Sequence, residues 1–138
     1  MASMLFGSAV KSIIAGTIIF DIDSFKVLLV TSAYTPNKHT HSKRSDVTNE
    51  VVGKGYVVGG NEVTVVVTED INNDRVIISL GSGEWSLATI AARGAVYYKS
   101  RGGAASDDEL VAYIDFNTDI TSTNGTFSLM PSTLRIQN

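Results

Sequence analysis

Thirteen consecutive residues, Phe25 to Asn37, constrain the fold of this chain more than any others. Phe25, Val27, Leu29 and Thr31 fall on one face of a period-two pattern, and Lys26, Leu28, Val30 and Ser32 fall on the other. Apolar residues stand on both faces, the pattern of a strand covered on both sides. Pro36 then ends the strand, because proline has no N–H to give to a ladder.

The rest of the chain repeats the period-two theme. Val63, Val65 and Val67 alternate with Thr64, Val66 and Thr68, and Val76, Ile78 and Leu80 align on the return. Between them, Glu69 to Asp74 reads as the turn of a hairpin. Gly81 to Gly83 separates that hairpin from Glu84–Leu87. Thr89 to Ser100 predicts a further strand whose Ala/Gly centre leaves room for a bulge. Leu110, Ala112, Ile114 and Phe116 predict another, Asn124–Gly125 predicts a reverse turn, and Phe127–Met130 and Leu134–Ile136 predict short strands around Pro131.

Short strands are also expected at Thr17–Phe20 and Tyr56–Val58, and a helical turn or short strand at Val47–Glu50. At the N-terminus, Leu5, Phe6, Ala9, Val10, Ile13 and Ile14 recur at helical spacing. They predict a helix over Met4–Ala15 capped by Gly16. The expected fold is therefore all-β: a single β-sandwich or jelly-roll domain over 1–138, with eight to ten short strands and an N-terminal helix or arm over 1–15.

Composition enters where function classes are weighed. The chain has 138 residues, 43% of them hydrophobic and 18% charged, enough for one packed core and unlike a disordered tail. A formal charge of −3 argues against nucleic acid as a partner, since phosphate contacts need concentrated basic surface. No cysteine is present. The apolar N-terminal run is interrupted by Lys11 and has no basic residue before it, so neither a signal peptide nor a membrane span is expected.

The candidate chemistry is sparse. His39 and His41 are too few for a structural zinc site, which takes four ligands. Asp21, Asp23 and the Glu69–Asp74 cluster lack the EF-hand spacing and read as turn chemistry. Gly81–Ser82–Gly83 is not a nucleophile elbow, and the glycines from 53 to 60 form neither a Walker loop nor a dinucleotide fingerprint. Asp107, Asp108 and Glu109 read as a solvated loop. No enzyme and no cofactor is expected. Trp85, Tyr97, Tyr98, Tyr113 and Phe116 read first as core and second as a binding face. Arg93, Tyr97 and Lys99 share one face of their strand and are the first expectation for a partner-binding surface. The alternative is the apolar arm, with Leu5, Phe6 and Val10 reaching a neighbouring subunit.

One resemblance sharpens this. Gly16–Ile18, Asp21, Phe25–Asn37, Asp46–Val51, the Gly53-x-Gly55-Tyr56-x-x-Gly59-Gly60 motif, Ala95–Tyr98 and Leu110–Asp115 together resemble a family of small virion structural proteins of tailed bacteriophages. Similar proteins serve as capsid cement, or decoration, proteins with a jelly-roll fold. The resemblance implies a non-enzymatic protein on the outer capsid surface, bound to the major capsid protein and often dimeric. It implies no catalytic residue. A tail or tail-fibre protein and a carbohydrate-binding module using an exposed Trp85 or exposed tyrosines are the other expectations.

Overall fold

The computed structural model describes residues 4–137. The chain is all-β, with one α-helix among the described residues. In order the elements are β1 (Met4–Leu5), α1 (Gly7–Ala15), β2 (Phe25–Val30), β3 (Asn61–Val63), β4 (Val65–Asp70), β5 (Arg75–Leu80), β6 (Gly83–Lys99), β7 (Leu110–Leu129) and β8 (Ser132–Gln137). They form two antiparallel sheets, one ordered β1-β7-β6-β2-β3 and one ordered β4-β5-β8. A single apolar cluster takes Val27, Leu29, Val96 and Tyr97 from the larger sheet and Val65, Ile78 and Leu80 from the smaller. This is the sandwich that the alternation predicts.

Strand β2 is covered on both faces as expected: Phe25, Val27, Leu28, Leu29 and Val30 are all buried. It is not the middle strand, however. That place belongs to β6, which pairs β2 from Phe25↔Lys99 to Val30↔Gly94 on one side and β7 on the other. The β4–β5 hairpin also forms as predicted, with a 3₁₀ turn at Ile71–Asn73 and Asp74 in the left-handed region.

Strand lengths depart most from expectation. Glu84–Leu87 and Thr89–Lys99 fuse into one 17-residue strand, and β7 runs 20 residues through Asn124–Gly125 without reversing. The register shifts four times along the pair, and Asn117, Asn124 and Leu87 each carry a positive φ. Asn124–Gly125 therefore makes a bulge opposite Ala88 rather than a turn. Bulges absorb extra residues while the ladder continues, and each bends the strand.

The N-terminus differs too. The helix starts at Gly7, and Met4–Leu5 instead pair with Tyr113 and Ala112 as an edge strand. Gly16, at φ 81°, caps the helix as predicted. Thr17–Phe20 and Tyr56–Val58 are turns and loop rather than strands, and Glu50 makes only a bridge to Val30. Residues 1–3 of the expected arm lie outside the described residues.

Candidate partner-binding surface

The expected surface of Arg93, Tyr97 and Lys99 does not exist as a face. Tyr97 is fully buried, and burial pushes its phenol up to about 12. The Lys99 ammonium lies 3.0 Å from the Asp23 carboxylate and donates to the Thr17 carbonyl at 2.7 Å. Only Arg93 is half-exposed, 3.6 Å from Asp115 and 3.8 Å from Asp119. From Gly94 to Tyr98 every residue of β6 is buried, so parity no longer selects a solvent side.

The expected arm contacts fare similarly. Phe6 is fully buried in the protein's own core, its N–H bonded to the Val111 carbonyl, and Leu5 is half-buried beside β7. Val10 is the one exposed member. The segment docks on its own body because burying Phe6 and Ala9 there gains hydrophobic free energy without a partner.

Of the acidic run, Asp107 is exposed as expected, but Asp108 and Glu109 are not solvated. Asp108 is 1% exposed and Glu109 8% exposed. Arg44 Nε donates to Asp108 at 2.8 Å and its guanidinium lies over the Tyr98 ring. Arg101 donates to both Glu109 oxygens, at 2.8 and 3.0 Å, and Lys43 Nζ to one at 3.2 Å. Burial alone pushes the Glu109 carboxyl up, but those hydrogen bonds outweigh it and hold it at about 2. The basic loop around Lys43 and the acidic loop around Asp108 thus clamp one another, and neither presents free charge as a block.

A different segment carries the features of an interaction surface: the glycine-rich loop from Glu50 to Gly60. Its backbone is held from several sides. Tyr56 Oη donates to the Glu50 carboxylate and accepts from the Leu29 N–H at 3.0 Å. The Gly59 N–H donates to the same carboxylate at 2.7 Å, and Tyr98 Oη donates to the Gly59 carbonyl at 2.6 Å. Burial, with the Glu50 hydrogen bond behind it, pushes the Tyr56 phenol up, so it stays a neutral donor. Gly60 sits so close to β2 that a Cβ would lie 1.8 Å from the Val27 carbonyl oxygen. Further along, Lys54 bridges to Thr89, and Gly55 packs on Leu87 and Ala88 of β6.

This tightly held loop displays aliphatic side chains outward. Val52 is 91% exposed, and Val57 and Val58 about as far, at 73% and 74%. Leu87, beside which the loop passes, is 68% exposed and held at a φ of 49°. That backbone conformation, unusual for a bulky side chain, falls at the register shift between Trp85 and Ala88, where the bulged strand turns Leu87 outward. The sequence signal was the glycine motif itself, whose spacing leaves Val57–Val58 between a half-buried tyrosine and a buried glycine.

Trp85 is buried, stacked near Tyr56 and edge-on to Phe127, so it offers no ring to a sugar. His41 Nδ1 lies 2.9 Å from Tyr34 Oη, and among the described residues no three His, Asp or Glu side chains gather as metal ligands. The cavities are open troughs. One of about 460 Å³ runs past Asp21, Asp23 and Glu62, and an apolar one of about 340 Å³ is lined by Phe116, Ile120, Phe127 and Met130.

Fold and surface together define a β-sandwich that displays a preorganised apolar loop. Comparison with known proteins adds no relative: no family model, no curated protein and no solved structure matches the chain.

Proposed function

We propose that this protein is a non-enzymatic capsid cement protein of a tailed bacteriophage, binding the outer surface of the major capsid protein shell and stabilising it. The observation that carries the reading is the Glu50–Gly60 loop. A partly buried polar network fixes its backbone while Val52, Val57 and Val58 face outward. Exposed apolar side chains on a prefixed backbone suit a protein partner, since ordering costs are met before binding. The resemblance of this loop and of Phe25–Asn37 to phage virion proteins supplies the identity of that partner. Buried Trp85 weighs against the carbohydrate-binding alternative.

Cross-linking mass spectrometry on purified virions, with copy number quantified, tests the proposal. The expected result is a shell-wide copy number with links from the 50–60 loop to the major capsid protein. Few copies linked to tail components would move the protein to the tail, and absence from the particle would overturn the reading. The Val57→Ser/Val58→Ser variant is expected to lose at least tenfold in affinity for undecorated shells. Its urea midpoint should not change, because both positions are surface sites.

A further inference from the structure

The smaller sheet runs on past the end of the larger one. Its inward side chains stand in three cross-strand rows: Val65, Leu80 and Ser132; Val67, Ile78 and Leu134; Glu69, Val76 and Ile136. Burial falls from row to row. Leu80 and Ile78 are buried, Val76 is half-buried, and Ile136 is 42% exposed. An inward-facing row meets solvent only where the opposite sheet has ended. The third row is therefore an unpartnered sheet face, and Ile71 extends it at the hairpin tip with 78% exposure. A trough of about 460 Å³ crosses this face, past Glu69, Ile71, Asp74, Val76 and Ile136.

The charge around the trough has one sign. Arg75 Nε donates to Asp70 at 2.9 Å, so that pair is neutral. Glu69 and Asp74 are exposed, and neither makes an ion pair among the described residues. Arg135, the one charged residue of β8, belongs to the other face, opposite Ile77. Uncovered aliphatic surface and uncompensated carboxylates thus meet at one end of the sandwich.

We propose that this overhang docks a segment of another protein that carries apolar residues flanked by lysine or arginine. The apolar side chains of such a segment fill the trough between Ile71, Val76 and Ile136. Its cationic heads, on long aliphatic stems, reach Glu69 and Asp74 at the rim. The same rim repels phosphate, which disfavours nucleic acid and anionic membrane. A second copy of the chain brings an identical negative rim, so like charges meet when the two faces pair. The inference stands apart from the shell-binding reading, because it uses none of the residues of the 50–60 loop.

A methyl NMR titration of the full chain with the blocked heptapeptide Lys-Val-Lys-Ile-Lys-Val-Lys tests it. Saturable shifts are expected at Ile71, Val76 and Ile136, weakening as salt rises from about 0.05 to 0.5 M. Glu69→Gln/Asp74→Asn should lower the affinity about three- to tenfold at low salt, and Ile71→Ser about tenfold. All three positions are exposed, so the variants should keep the wild-type methyl spectrum elsewhere. Two control peptides separate the contributions: replacing Val and Ile by Ser, or Lys by Glu, should abolish the shifts. Equal binding of either control, shifts centred on Val57 and Val58, or no saturable shift would each overturn the proposal. So would shifts at Ile71 and Ile136 on concentrating the protein alone, which would give the face to a second copy.

Discussion

Replacing Gly60 by alanine tests whether the loop is held as its contacts indicate, and Gly102 supplies the control. Both glycines sit in the left-handed region, at φ 75° and 78°. An L side chain there costs about 1 kcal/mol in backbone strain. At Gly102 that is the whole cost, because nothing lies within 4 Å of the new Cβ. At Gly60 the Cβ would sit 1.8 Å from the Val27 carbonyl oxygen and 2.8 Å from Leu28 Cα, both backbone atoms that cannot rotate away. The loop must lift off β2. That breaks the bonds from Tyr98 Oη to the Gly59 carbonyl and from the Gly59 N–H to Glu50, each worth about 1–2 kcal/mol net. The expected loss is about 3–5 kcal/mol for Gly60→Ala against about 1 for Gly102→Ala. Urea unfolding followed by Trp85 fluorescence measures both, as a drop in midpoint of about 2 M for the first and well under 1 M for the second. Equal midpoints for the two variants would refute the claim that the loop is pinned against β2.

Two further predictions concern the termini and the ion clamp. The folded Glu109 carboxyl is held at about 2, below its unfolded value, so its contribution is full above about pH 4.5 and is lost as pH falls from 4.5 towards 2. Solvent screening of the half-exposed Lys43 and Arg101 keeps that contribution to about 1–2 kcal/mol. Glu109→Gln should therefore flatten the stability–pH curve between pH 2 and 4.5; a curve parallel to wild type would show that the clamp is not formed. Phe6→Ala should cost about 3–5 kcal/mol, the value for emptying a fully buried aromatic site. A loss below about 1 kcal/mol by urea unfolding would mean that the N-terminal segment does not dock on its own core in solution.

Local pattern sufficed for part of this architecture. Alternation in Phe25–Val30 and in the β4–β5 hairpin specified strands, because a period of two leaves one way to sort apolar side chains onto a face. Gly16 capped its helix where expected, since its φ of 81° needs no information from the rest of the chain. The sequence alone therefore determined the all-β class, the hairpin and the helix stop. Tertiary structure decided what stands outside. Tyr97 and Lys99 look like a surface pair until both faces of β6 are covered, and Asp108 and Glu109 look solvated until Arg44 and Arg101 arrive from distant positions or bend back onto them. Asn124–Gly125 has turn chemistry, yet pairing with β6 converts it to a bulge. Exposure is a property of what packs against a residue, and for Val57, Val58 and β8 that is settled by contacts far apart in the chain, which no local pattern contains.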